Sequence, residues 1–207
     1  MGHPVFARLY ARVRPQLDVQ GAAGHRKRLL DGLAGEVLEV GAGDGGNFAH
    51  YPGDVTRVVA VEPEPYLRAK AERSAALTNV RVEVVNGTAE RLPLVDGSVD
   101  AVVTSLVLCS VPDQTVALSE AFRVLRPGGE LRFYEHVAAG NGRVDAVQKV
   151  LDATIYPWFS GGCHLHRDTA AAISAAGFTI TDLDRFDFGP NPAAPHILGR
   201  AIRPEES

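Results

Sequence analysis

A chain of 207 residues suits one domain and is long enough to bury a full α/β core. With 45% hydrophobic and 22% charged residues it is no disordered or low-complexity chain, and 21 basic against 25 acidic side chains, a net charge of −4, give no basic footprint for nucleic acid. Cys109 and Cys163 are too few for a disulfide framework, the segment around Arg8, Arg12 and Arg14 lacks the apolar core of a signal peptide, and no apolar run nears the ~20 residues of a membrane span, so a cytoplasmic protein without stable membrane insertion is expected.

From residue 4 to about Leu33 the spacing is helical, with Phe6, Leu9, Tyr10 and Val13 on one face. Pro15 and the stretch Gly21–Gly24 are expected to split it into two helices, making residues 1–34 a helical cap on a single domain spanning 1–207. An alternation follows. Glu36–Val40 reads as a strand, then a glycine loop and a short helix toward Tyr51. Arg57–Glu62 is a second strand, Tyr66–Leu77 a helix, Val80–Asn86 a third strand, and Val99–Leu106 a fourth whose near-continuous apolar run fits a strand covered on both faces. A helix over Asp113–Leu125 puts Leu118, Ala121, Phe122 and Leu125 on one stripe and stops at Pro127-Gly128-Gly129, before a fifth strand at Glu130–Val137. Val144, Val147, Leu151, Ile155 and Trp158 recur at helical intervals, another helix covers Asp168–Ala176, and Phe178–Phe186 and His196–Arg203 close the chain as two strands. Repeated β-α units predict a doubly wound, mostly parallel seven-stranded sheet with helices on both faces and an antiparallel C-terminal hairpin.

The loop after the first strand, within LEVGAGDGGNF (Leu38–Phe48), satisfies two patterns. Gly41, Gly43 and Gly46 spell the G-x-G-x-x-G of dinucleotide sites, and Gly41, Gly43 and Gly45 the tighter G-x-G-x-G of S-adenosylmethionine (SAM) sites. Glycine permits the turn and the close approach of a ligand, and a helix N-terminus beyond it would meet a pyrophosphate or a carboxylate. Glu39, just before the loop, suits a cofactor bearing an ammonium and a sulfonium. Glu62 closes the second strand at the spacing of a carboxylate that accepts two ribose hydroxyls, with Pro63 placed to lie on an adenine face. The ribose carboxylate alone leaves NAD and SAM both open.

The run NGTAERLPLVDGSVDAVV (Asn86–Val103) resembles that of class I SAM-dependent methyltransferases, especially the ubiquinone/menaquinone group, and RVLRPGGELRF (Arg123–Phe133) matches a second family motif. TSLVLCSVPD (Thr104–Asp113), YEHV (Tyr134–Val137), the stretch Val150–Thr169 and PHILGRAI (Pro195–Ile202) are similar to small methyltransferase-like proteins that include alkyl-thiol S-methyltransferases, whose N-terminal membrane anchor is expected to be absent here. The resemblance implies a Rossmann-like fold, SAM as cofactor with S-adenosylhomocysteine as product, and a small-molecule methyl acceptor, a thiol or a secondary metabolite. It implies cofactor contacts from Gly87, Thr88, Ala89 and Ser105, with the Ala89 amide on the adenine ring; Thr88 stands where the family carries aspartate.

His136, at the end of the fifth strand, is the candidate catalytic residue, placed to orient or deprotonate the acceptor. Cys163, His164 and His166 have metal-ligand chemistry but lack a partner pair elsewhere in the sequence, so no metal is expected. Trp158 and Phe159 are expected to pack a lid helix over substrate or to fill core. An NAD-dependent oxidoreductase and a SAM-binding module without transferase activity are the alternatives to a methyltransferase.

Overall fold

In the computed structural model, which describes residues 4–205 except 141, 155 and 190–192, the strands are β1 (Gly35–Val40), β2 (Val55–Val61), β3 (Val82–Val85), β4 (Val99–Ser105), β5 (Leu125–His136), β6 (Thr179–Asp187) and β7 (Pro195–Ile202). They form one sheet in the order β3-β2-β1-β4-β5-β7-β6, with β1 to β5 parallel and β7 antiparallel to both its neighbours. The helices are α1 (Pro4–Leu17), α2 (Ala23–Leu30), α3 (Pro65–Ala75), α4 (Gln114–Val124), α5 (Gly142–Asp152), α6 (Tyr156–Phe159) and α7 (Thr169–Ala175).

Period-two alternation of the strands builds two cores. On one face Leu38, Val59, Val102, Leu131, Phe133 and Ile197 meet Leu118 and Val124 of α4 and Ile173 of α7. On the other, Val37, Val58, Ala101, Val103 and Tyr134 meet Leu29 and Leu30 of α2 and Ala71 of α3. The expected layering, helices on both faces, therefore holds. Side-chain caps set the helix starts: Asp113 accepts from the amides of Thr115 and Val116, Asp168 from Ala171, and Glu64 from Leu67. The edge strand β6 is largely exposed and carries Asp182, Asp184, Arg185 and Asp187, charges that discourage edge-to-edge pairing.

Four expectations change. No α-helix follows the glycine loop; the chain makes tight turns and one 3-10 turn at Phe48–His50, because glycines in the left-handed region interrupt any helical run. Pro15 stays inside α1, and the helical backbone is left at Gly21, within a π-helical segment at Asp18–Ala22. The apolar face of α1 is only partly used: Ala7 is buried, while Leu9 is 57% exposed and Val13 lies at the surface. β5 starts at Leu125, running through Pro127-Gly128-Gly129 with a register irregularity opposite Val99 and Ala101.

Candidate active site

The parallel strands end along one edge of the sheet, and the chain reverses its strand order between the neighbours β1 and β4, the point at which open α/β sheets bind ligands. That edge carries the sequence-predicted site residues other than Glu39: Gly41 and Gly43 after β1, Glu62 and Pro63 after β2, Gly87, Thr88 and Ala89 after β3, Ser105 at the end of β4 and His136 at the end of β5. Glu39 lies one turn deeper, within β1.

In the glycine loop Gly41, Gly43 and Gly45 all have positive φ (65°, 59° and 83°), whereas Gly46 does not. The conformational demand thus follows the G-x-G-x-G spacing, and Gly46 completes the other pattern without sharing its geometry. Gly41 abuts Val107 in the loop after β4, where a Cβ would come within 2.6 Å of that side chain. Glu62 pins the loop from β2, one carboxylate oxygen accepting the Gly43 amide at 2.8 Å and the other the Glu64 amide at 2.9 Å. Each oxygen keeps a lone pair for a ribose hydroxyl. Burial raises the Glu62 pKa against these amides.

The cap closes on this loop through a continuous polar chain. Arg14 bridges Asp44 of the loop (3.0 Å) and Asp18 (2.6 Å), Arg26 bridges Asp18 (3.2 Å) and Asn47 (3.0 Å), and Asn47 donates to Glu39 (2.9 Å). Tyr51 donates to the second Glu39 oxygen at 2.7 Å. Both Glu39 oxygens are engaged inside the protein, the residue is 2% exposed, and burial pushes its pKa up to about 7. Glu39 therefore anchors the loop from within. Tyr10 of the cap stands over Gly43, 3.4 Å from where a Cβ would sit.

Buried polar atoms at this edge without a protein partner include Oγ of Ser105 and the second carboxylate oxygen of Asp44. Buried polar groups are normally satisfied, so such atoms at a ligand edge fit a polar cofactor. Gly87 packs within 3.0 Å of Val61 by its notional Cβ, holding the β3 loop against β2; Ala89 is buried, and Pro63 and Thr88 are exposed.

At the β5 end, Glu135 is fully buried and its carboxylate accepts the amides of Val107 and Cys109, both at 3.2 Å, ordering the loop after β4. Burial raises its pKa, which these bonds oppose. His136 faces two sulfurs through Nδ1, at 3.5 Å from Cys163 and 3.9 Å from Cys109. The hydrogen bond that Cys109 makes to Cys163 draws the Cys163 thiol well below its usual range, with His136 adding to the effect, and holds the Cys109 proton on. His164 and His166 turn away, to Asp152 (3.7 Å) and Asp145 (2.9 Å). The ring of His136 lies 4.3 Å from that of His196, which continues into Tyr134, Phe186 and His25 as an aromatic wall. Sequence reasoning missed Cys109, His196 and Tyr10. The cross-strand pairs His136–His196 and Phe186–His196 create the wall, and no local pattern announces such pairing. Trp158 is 79% exposed, and the side chain of Phe159 lies outside the described residues.

A family profile described as a methyltransferase domain matches residues 38–133. Thiol S-methyltransferase TMT1B of Mus musculus is 40% identical over 182 residues, covering 84% of this chain and 74% of that protein. This chain belongs to the SAM-dependent methyltransferases. SAM is its cofactor, and the nicotinamide alternative falls away. Solved structures agree on the methyltransferase's fold. The YcgJ protein from Bacillus subtilis superposes with a TM-score of 0.74 at 18% identity, covering 88% of this chain and 98% of its own. Geranyl diphosphate C-methyltransferase from Streptomyces coelicolor superposes with a TM-score of 0.69 at 16% identity, covering 87% and 77%. No helix among the described residues of the methyltransferase is long and apolar enough to cross a membrane.

Proposed function

We propose that this methyltransferase methylates the sulfur of a small-molecule thiol. The reach of the similarity carries the reading: an alignment covering 84% of the chain necessarily extends beyond the matched stretch 38–133, into the acceptor-side half that supplies His136 and Cys163. The cofactor, when bound, supplies a methyl carbon activated by a sulfonium. Glu62 holds the ribose hydroxyls, Gly41 and Gly43 let the loop backbone turn tightly beside the cofactor, Pro63, Gly87 and Ala89 frame the adenine, and Ser105 donates or accepts with its buried hydroxyl. Thr88 offers a hydroxyl where a carboxylate would otherwise take the adenine amine, a weaker contact. Glu39 acts at one remove, by fixing Asn47 and Tyr51 and with them the loop.

In-line displacement asks the protein to align donor and acceptor and to exclude water. A thiol with a pKa near ~8.5 needs little general-base help. His136 orients the acceptor at the end of β5, and the apolar wall around His196 gives it a dry surface.

Labelled SAM presented with a panel of thiols, phenols and amines tests the proposal. Label is expected in thioether products in preference to ethers or methylamines. Transfer only to oxygen or nitrogen, or to no member of the panel, overturns it.

A further inference from the structure

Three potential ligand atoms, Sγ of Cys109, Sγ of Cys163 and Nδ1 of His136, lie within 4.8 Å of one another. Four-coordinate zinc, with metal–sulfur bonds near 2.3 Å and metal–nitrogen bonds near 2.0–2.1 Å, places neighbouring ligand atoms about 3.6 Å apart for sulfur and nitrogen. The two sulfur–nitrogen separations here are 3.5 and 3.9 Å. Little movement is needed to close the set on a cation.

The backbone holds these residues together from three directions. Leu106, the described non-glycine residue with positive φ (60°), turns the chain sharply out of β4. The loop that follows is tied by Glu135 to the amides of Val107 and Cys109 and by Arg167 Nη1, which donates to the carbonyls of Leu108 (2.7 Å) and Val111 (2.8 Å). The second loop arrives from Gly161-Gly162, both with positive φ, and Gly162 packs so closely that a Cβ would stand 3.0 Å from the Ser110 carbonyl. His164 then donates its amide to the Cys109 carbonyl at 2.7 Å, locking the cysteine loops to each other. A strained turn, a close glycine approach and a buried carboxylate converge on two cysteines that are themselves buried.

From this geometry we propose that Cys109, Cys163 and His136 bind one thiophilic divalent cation of the zinc class. Cation binding breaks the Cys109 S–H bond and releases its proton to solvent; two thiolates then neutralise the cation, and the Glu135 carboxylate and Arg167 guanidinium balance each other beside it, so the loaded site carries no net charge into the interior. Three protein ligands leave a tetrahedral cation one open position, the arrangement of catalytic rather than structural sites. On the reading that the acceptor is a thiol, on which this consequence alone rests, an incoming thiol fills that position. Its S–H bond breaks, the proton passes to solvent, and a sulfur–metal bond forms that keeps the nucleophile as a thiolate.

Titration of the reduced, full-length protein with Co2+ under anaerobic conditions, followed by sulfur-to-cobalt charge-transfer absorption and back-titration with Zn2+, tests the site. One equivalent of Co2+ is expected to bind with the intensity of two thiolates and to be displaced by Zn2+. Cys163→Ser is expected to halve that intensity and weaken affinity, and His136→Ala to keep both thiolate bands while binding more weakly. Calorimetric binding of S-adenosylhomocysteine certifies that each variant is folded, and if a variant fails it, the titration of the unaltered protein decides. No stoichiometric binding, or binding without thiolate bands, overturns the proposal. Thiol methylation by cation-stripped protein keeps the two claims apart: turnover from a protein that binds no cation removes the metal site and leaves the acceptor reading intact.

Discussion

At Glu39 burial and hydrogen bonding act in opposite directions. Removing the carboxylate from water favours its neutral form, and the bonds from Tyr51 and Asn47 only partly offset this, leaving a pKa near 7 against an ordinary 4.5. Between those two values the folded protein holds a proton that the unfolded chain has released. Stability contributed by this group is therefore complete below pH 4.5 and falls as pH rises toward 7. Urea unfolding of wild type and Glu39→Gln at pH 5 and pH 7.5 reads this directly. The wild type is expected to lose on the order of 2–3 kcal/mol more than the variant across the interval. Parallel losses in the two proteins would show that Glu39 is ionised throughout. Nothing local in the sequence shows that Asn47 and Tyr51 fold back onto Glu39.

Among the elements, β7 is constrained from both sides, inserted antiparallel between β5 and β6. Gly199 pairs with Phe133 on one side and Leu183 on the other, and a Cβ there would stand 2.6 Å from the Phe133 ring and closer still to the Asp182 carbonyl. Gly199→Ala is expected to destabilise the fold by about 1–3 kcal/mol, the cost of overpacking a closed core. Unchanged thermal unfolding would mean that β5 and β7 separate more readily than their register implies. The strands were legible because buried parallel strands are nearly continuous apolar runs, as in Val99–Ser105 and Val55–Val61. The helix starts were legible at Asp113 and Asp168, where short acidic side chains precede apolar spacing. The turn after Gly41 was not, because a helix and a run of left-handed turns share the same glycines. The α1 stripe misled for a related reason: periodicity reports an apolar face but not whether a partner covers it, and Leu9 and Val13 remain at the surface.

The whole molecule gathers its chemistry by topology. Reversal of strand order between β1 and β4 opens a crevice, and residues 95 positions apart, from Gly41 to His136, arrive at one edge of the sheet. The cofactor half of that edge was readable because its glycines, Glu62 and the Asn86–Val103 run keep local spacing. In the acceptor half only His136 was readable, because Cys109 meets Cys163 only in the folded chain, and His164 and His166, beside Cys163 in sequence, turn to Asp152 and Asp145 instead. The central claim is that this edge grips SAM, with Glu62 binding the ribose while pinning the glycine loop. Calorimetric titration with S-adenosylhomocysteine tests it most directly. One-to-one binding to the wild type is expected, weakened about 10- to 150-fold in Glu62→Ala by the loss of charged hydrogen bonds worth about 1.5–3 kcal/mol. No binding to the wild type, or equal affinity in the variant, would contradict it.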